Sequence, residues 1–297
     1  VSQDKNYTDN DTINGGAGKD VIYGGDGQDT VHGDEGDDII NGGNGDDVLY
    51  GDAGNDVING GNGDDILYGG DGDDKLFGAS GDDSLYGGAG NDVLQAGFED
   101  DIIMDGGTGL DLYIGSEGND TMYFDQEDFS DASFLTANGN IYSGNRGFDK
   151  IIVEGDANVD FSGSSYGVTT SSKPIANVEA VVGDAGDQTV TVNAFAIQSQ
   201  SDQFQTTTNV DPGDWDGFVA YLGEGDDTFN LEALNWAYDA SATPTAALSA
   251  DMIAFMGLNS TEVGELEAYV FNHNGSGASI TVWTDAENIQ QDGDSIF

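Results

Sequence analysis

Gly42-Gly43-Asn44-Gly45-Asp46-Asp47-Val48-Leu49-Tyr50 is the stretch from which the rest of the chain can be read. It recurs with small changes as Gly60 to Tyr68 and as Gly87 to Gln95. A fixed internal period of this kind decides the fold before any local propensity does. Aligned from Asn6 to Tyr123, the copies share the form G-G-x-G-x-D-x-U-x, where U is a large apolar residue. The sixth position holds Asp11, Asp20, Asp29, Asp38, Asp47, Asp56, Asp65, Asp74, Asp83, Asp92 and Asp101. The eighth holds Ile13, Ile22, Val31, Ile40, Leu49, Ile58, Leu67, Leu76, Leu85, Leu94 and Ile103. Several copies relax the glycines, with Asp34, Asp52 and Ala79 at the second position. The copy Ala96 to Met104 departs furthest, with Ala96 and Glu99 where glycines are expected.

Glycines at the first, second and fourth positions permit positive φ and close approach of neighbouring backbones. The last three residues of each unit read as a short strand, with U inward and its neighbours outward. Asp105 reads as one extra residue, after which Gly106 to Ile114 and Gly115 to Tyr123 resume with Asp111 and Asp120 as their sixth residues. A bulge is expected there.

This nonapeptide resembles the RTX (repeats-in-toxin) family, whose hemolysin-type calcium-binding repeats form parallel β-rolls in bacterial proteins exported by type I secretion. Residues 124–297 read as an irregular β-rich capping or assembly domain, and for residues 1–123 the resemblance implies an all-β fold, a parallel β-roll with calcium in the turns. It also implies two units per turn of the coil. Asp20, Asp38, Asp56, Asp74 and Asp92 would then stand in one column, and Asp11, Asp29, Asp47, Asp65, Asp83 and Asp101 in the other. Calcium is a hard cation that takes six to eight oxygen ligands, carbonyls and carboxylates alike. The implied donors are those aspartates, Asp111, Asp120 and the glycines Gly24, Gly33, Gly42, Gly51, Gly60, Gly69, Gly78 and Gly87. Without cations each column is a line of like charges.

Composition points the same way. The 297 residues carry 57 acidic and six basic side chains, a formal charge of -51. Such a surface excludes nucleic acid as a partner, because phosphate binding rests on Lys and Arg, and anionic membrane surfaces would repel it. Self-repulsion keeps the repeat expanded until cations arrive. With no cysteine, neither a disulfide framework nor a thiolate zinc site can form. No run of 18 apolar residues exists, so no transmembrane helix is expected.

The outward strand positions form two ladders. One reads His32, Tyr50, Tyr68 and Tyr86; the other reads Tyr23, Asn41, Asn59, Phe77 and Gln95, flanked by Val21, Ile39, Val57, Lys75 and Val93. Contiguous apolar surface of this kind marks a contact face. A regular Thr and Asn ladder, as ice binding would need, is on neither face.

Beyond residue 124 the chain alternates apolar and polar residues in runs such as Lys150 to Glu154, Gln188 to Asn193 and Ser279 to Trp283, which read as strands. Echoes of the repeat persist at Gly183 to Val190 and Gly223 to Phe229, giving Asp187, Asp226 and Asp227 as further candidate calcium residues. Short helices are expected near Leu231–Tyr238 and Ala246–Phe255.

No His-Glu-x-x-His pair and no Gly-x-Ser-x-Gly elbow occurs. His32 and His273 are the only histidines, and each is expected to be a solvated loop residue rather than a base. The chain is therefore expected not to be an enzyme. The sequence favours an extracellular calcium-binding structural protein, a surface-layer, matrix, filament or adhesin component that self-assembles as a homo-oligomer or polymer at the cell surface. The alternative is a calcium-dependent export and folding module of a larger type I secreted enzyme or toxin. A glycan partner, held through Trp215, Trp236 or Trp283, is a third reading.

Overall fold

The computed structural model describes residues 10–101, 103–109, 111–124 and 142–146, then shorter segments at 149–153, 158–160, 175–176, 180–183, 189–193, 217–222, 228–232, 236–238, 253–254, 256, 258, 260–273, 279–286, 288–291 and 294–295. Residues 1–9, and with them the start of the first partial repeat, lie outside the described residues.

Every described copy of the repeat builds one strand and one turn. The strands are β1 (Thr12–Ala17), β2 (Val21–Asp26), β3 (Thr30–Glu35), β4 (Ile39–Asn44), β5 (Val48–Ala53), β6 (Val57–Asn62) and β7 (Ile66–Asp71). They continue as β8 (Lys75–Ser80), β9 (Ser84–Ala89), β10 (Val93–Phe98), β11 (Ile103–Thr108), β12 (Leu112–Glu117), β13 (Thr121–Phe124) and β14 (Tyr142–Arg146). Odd-numbered strands from β1 to β13 hydrogen-bond in one sheet, and even-numbered strands from β2 to β14 in the other. Pairing is parallel; up to β10 residues eighteen apart are in register, as Val48 is with Ile66 and Ile40 with Ile58, and the step is nineteen from β9 to β11 and from β10 to β12. The chain is a parallel β-solenoid.

The eighth-position side chains fill the space between the sheets. Ile40, Leu49, Ile58, Leu67, Leu76, Leu85 and Leu94 are all buried. One apolar side chain per nine residues is a thin core, set against the conformational entropy of ordering those nine. The turns must contribute the rest.

In the turns, the second and fourth positions are left-handed, as at Gly43 (φ 121°) and Gly45 (φ 118°). The backbone keeps that shape even without glycine, at Asp34 (φ 71°), Asp52 (φ 72°), Ala79 (φ 88°), Glu99 (φ 75°) and Ser116 (φ 95°). Three of these exceptions accept a backbone N–H from one turn back, Glu99 Oε2 taking that of Gly81 at 3.1 Å. The Asp34 and Asp52 carboxylates accept the N–H groups of Gly16 (3.1 Å) and Asp34 (3.3 Å), which is how Asp tolerates this region.

The register corrects the sequence reading after Asp101. Met104, not Ile103, stands opposite Leu85 and Met122, while Ile103 stands opposite Ser84. Asp105 is therefore no insertion: it takes the ninth position, opposite Tyr86 and Tyr123. The extra residue falls between Asp101 and Ile103, where hydrogen bonding to β9 resumes one residue late.

On the outer face of the odd-numbered sheet, His32, Tyr50, Tyr68 and Tyr86 stack ring on ring at 4.4, 4.9 and 4.9 Å, with interplanar angles of 2°, 6° and 11°. Their faces are spent on one another. His32 is a strand residue, as its place in the ladder implies, and not a loop residue; its Nδ1 lies 3.0 Å from Asp52 Oδ2. On the even-numbered sheet Tyr23 (64 % exposed), Val21 (45 %), Ile39 (49 %) and Val57 (37 %) remain open to solvent.

The chain divides into two compact units, one of residues 1–134 with 141–147 and one of 135–140 with 148–297. In the second, the described strands are β15 (Lys150–Val153), β16 (Asn158–Asp160), β17 (Ile175–Ala176), β18 (Ala180–Gly183), β19 (Thr189–Asn193), β20 (Gly217–Tyr221) and β21 (Thr228–Glu232). They are followed by β22 (Trp236–Tyr238), a single-turn helix α1 (Glu262–Glu265), β23 (Glu267–His273), β24 (Ser279–Thr284), β25 (Asn288–Gln291) and β26 (Asp294–Ser295). Strands β15, β18, β20 and β24 pair in parallel, and so do β16, β19, β21 and β25. The chain alternates between these two sheets, so this unit too winds as a parallel coil. Its turns are of unequal length, and β22 and β23 add an antiparallel edge to β24.

The helix expected over Leu231–Tyr238 is absent from its described ends: Leu231 belongs to β21 and Trp236–Tyr238 to β22. Within the second expected helix, Ile253 and Ala254 are helical. His273 ends β23, paired with Trp236. Trp283 packs with Val182, Tyr221 and Leu258 against the buried cluster of Ala180, Met256 and Leu266. Trp215, Asp187, Asp226 and Asp227 lie outside the described residues.

Candidate metal centres

Stacking brings the sixth-position aspartates into two columns. Each backbone N–H donates to the Oδ1 of the aspartate one turn on: Asp29 to Asp47 (2.8 Å), Asp47 to Asp65 (2.8 Å), Asp65 to Asp83 (2.8 Å) and Asp83 to Asp101 (2.9 Å). The other column runs Asp20 to Asp38 (2.7 Å), Asp38 to Asp56 (2.6 Å), Asp56 to Asp74 (2.7 Å), Asp74 to Asp92 (2.7 Å) and Asp92 to Asp111 (2.7 Å). Asp11 opens the first column on Asp29, and Asp101 closes it on Asp120 (3.1 Å). The extra residue thus leaves both columns continuous.

Pinned by one oxygen, each carboxylate presents the other to the turn. The Oδ2 atoms of Asp29, Asp38, Asp47, Asp56, Asp65, Asp74, Asp83, Asp92 and Asp101 are buried and accept no hydrogen bond. Those of Asp29, Asp38, Asp47, Asp56, Asp74, Asp83 and Asp92 lean over the first-position glycine of their own copy, beside the carbonyl of the corresponding residue one turn on, and that of Asp65 leans over Gly60. A Cβ built on Gly24 would lie 2.5 Å from both Asp29 Oδ2 and the Gly42 oxygen. The carbonyls of Gly33, Gly42, Gly51, Gly60, Gly69 and Gly87 occupy this place, as do those of Ala96 and Gly106, which the sequence reading did not include. Gly24 and Gly78 are the cradles over which Asp29 and Asp83 lean.

The electrostatics call for a cation. Burial, reinforced by neighbouring carboxylates, pushes Asp47 and Asp56 up to about 6 and Asp74, Asp83 and Asp92 to about 7. It pushes Asp65 to about 8 and Asp101 to about 9. The N–H bonds to Oδ1 oppose this only in part. No lysine or arginine is among the causes of these shifts; Lys19 instead pairs with the exposed Asp37. Among the described residues no three carboxylate or imidazole side chains converge on one point. A site here offers one carboxylate per turn and otherwise backbone oxygen. That donor set suits calcium, which accepts carbonyls readily, better than zinc or a softer metal.

The second unit holds an aspartate that the sequence reading missed. Asp149 is fully buried, and its carbonyl accepts the N–H of Ala180 at 3.1 Å. Asp92 does the same for Leu112 in the roll. The signal was Gly147-Phe148-Asp149-Lys150-Ile151, a fragment of the repeat stripped of its other glycines. Likewise Asp285 Oδ1 accepts the N–H of Leu222 at 2.8 Å, a turn-to-turn bond of the same type.

A glycine-to-alanine change tests the cradle. In Gly42→Ala the methyl would meet Asp47 Oδ2 and, at 2.7 Å, the Gly60 oxygen. Overpacking of this kind costs ~1–3 kcal/mol. The calcium concentration at the midpoint of folding, followed by circular dichroism, is expected to rise, and an unchanged midpoint would rule the cradle out.

Residues 7–40, 32–67, 41–76, 68–103 and 105–123 match the family model of the RTX calcium-binding nonapeptide repeat. Residues 7–123 of this chain are RTX calcium-binding nonapeptide repeats, and they wind a calcium-binding β-roll of the kind found in secreted bacterial proteins. No curated protein matches the chain. Among the described residues no helix is long and apolar enough to cross a membrane.

Proposed function

We propose that this chain is an extracellular structural protein whose roll folds when calcium binds and then joins further copies at the cell surface. Such a protein would serve in a surface layer, a matrix, a filament or an adhesin. The calcium half rests on one observation: columns of buried carboxylates whose Oδ2 atoms accept no hydrogen bond. The assembly half is supported by the ladder of Val21, Ile39 and Val57 beside Tyr23, apolar and open on a flat sheet. At a formal charge of -51, copies repel one another, and cations seated in the turns lower that repulsion. The apolar ladder is then free to associate. A catalytic role has no support in the sequence, which carries neither of the hydrolase signatures sought above.

Electron microscopy and sedimentation of the purified chain, with and without millimolar calcium, test this. Sheets or filaments are expected only with calcium. The double variant Ile39→Asn, Val57→Asn is expected to keep the calcium-induced circular dichroism and lose the assemblies. Compact, dispersed monomers in calcium would overturn the assembly reading and leave the roll as an export and folding module of a larger secreted protein.

A further inference from the structure

The even-numbered sheet carries one cation where its neighbours carry aliphatic side chains. Val21, Ile39, Val57, Lys75, Val93 and Leu112 stand in register at the seventh positions of β2 to β12. Lys75 is the only charged residue among them and the ninth-position residues beside them, Tyr23 to Ile114. It is exposed, and its side chain meets no carboxylate among the described residues. Asp73 and Asp74 precede it but are engaged elsewhere: Asp73 Oδ1 accepts the N–H of Asn91 at 2.9 Å, and Asp74 is buried in its column. Lys19 gives the contrast, since it lies in a turn and pairs with Asp37 one turn on.

The chemical complement of that cation lies on a turn edge. Asp46, Asp64, Asp82 and Asp100 hold the fifth positions of the copies that lead into the odd-numbered strands, and all four are exposed. They form a row, Asp46 Oδ1 accepting the N–H of Asp64 (3.1 Å), Asp64 that of Asp82 (3.0 Å) and Asp82 that of Asp100 (3.2 Å). The matching row of the other copies alternates Asp37, Asn55, Asp73 and Asn91. The first row is the denser line of negative charge.

We propose that Lys75 docks on this row in a second copy of the chain, so that copies join sheet face to turn edge. The proposal rests on the assembly reading above and gives it a geometry. Two even-numbered faces laid together would bury Lys75 against a surface whose outward strand positions hold no acid, and an unpaired buried charge is strongly unfavourable. Face to edge, the ammonium meets a carboxylate, and Val57 and Val93 on either side of it are covered. Such a contact is heterologous: every added copy still offers a free face and a free edge, so growth is open-ended, as a filament or sheet requires.

Carbodiimide coupling, which joins an amine to a carboxylate in contact with it, is run on assemblies grown in calcium from mixed isotope-labelled and unlabelled chain. Peptides linking Lys75 to Asp46, Asp64, Asp82 or Asp100 across the two labels are expected. Lys75→Glu sets like charges against each other and is expected to raise the chain concentration needed for assembly about tenfold or more, with the calcium-induced circular dichroism unchanged. Lys75→Gln, which removes the charge alone, is expected to act in the same direction. Adding Asp64→Lys and Asp82→Lys to Lys75→Glu reverses both signs and is expected to recover assembly. A Lys75→Glu chain that assembles as the parent does, or a Lys75 linked only within its own copy, would overturn the pairing and leave the assembly reading standing. A parent chain that stays monomeric in calcium would sink that reading, and the pairing with it.

Discussion

Replacing Asp47, Asp65 and Asp83 by alanine is expected to leave the roll unfolded at calcium concentrations that fold the parent chain. The three stand on successive turns of one column, linked by N–H to Oδ1 bonds of 2.8 Å. Each substitution removes the oxygen that leans over a glycine cradle and the acceptor for the N–H one turn back. Metal bound only by the folded turns adds its binding energy to folding. At a hundredfold excess over Kd each site is worth about 2.7 kcal/mol. Losing three removes about 8 kcal/mol, against total stabilities of ~5–15 kcal/mol for whole domains. A calcium titration followed by circular dichroism reads the result, and an unchanged curve would remove these aspartates from the metal sites. A single Asp65→Asn keeps an acceptor for the Asp47 N–H and is expected to shift the midpoint far less.

The repeat made most of the first unit legible because its period is rigid. Apolar eighth residues could only point inward, and the aspartate columns followed once two copies were given to each turn. Where legibility failed, the cause was local degeneracy. Asp101-Ile102-Ile103-Met104-Asp105 offers two acidic and three apolar residues in a row. Pattern alone cannot say which one is extra; the hydrogen bonds to β9 decide it. Tyr113 takes an eighth position, and nothing in the sequence shows that its hydroxyl accepts the Gly106 N–H. His32 and Tyr50 were legible as neighbours in one ladder, eighteen residues apart; that their rings stack was not.

In the second unit the strands were legible and the coil was not. Registers step from Lys150 to Ala180, to Val219, to Trp283, so no single period runs through them. Asp149 escaped notice for the same reason: with only Gly147 close by, it looks like any acid in an acidic chain. The two units nevertheless use one device, an aspartate in the turn tied to a backbone N–H or to a residue of the next turn. The first unit repeats it at fixed intervals, and that regularity is what lets cations line up.

Acid is expected to replace calcium in part, and the sign follows from burial. In the folded chain Asp65 titrates near 8 and Asp74, Asp83 and Asp92 near 7, because desolvation holds their protons on. In the unfolded chain the same groups release protons near the ordinary 3.8. Between those values the folded state binds more protons than the unfolded state, so metal-free stability falls as pH rises. The slope is about 1.4 kcal/mol per pH unit for each such carboxylate. The stability is fully present below pH about 4 and has drained away by about 8. Calcium acts in the opposite direction, since its ligands must first lose their protons, and its affinity should climb over the same range. Circular dichroism in chelator at pH 5 is thus expected to show far more β-structure than at pH 8, while saturating calcium at pH 8 restores it. A chelated chain equally unfolded at both values would mean that the columns are not what holds the roll open at neutral pH.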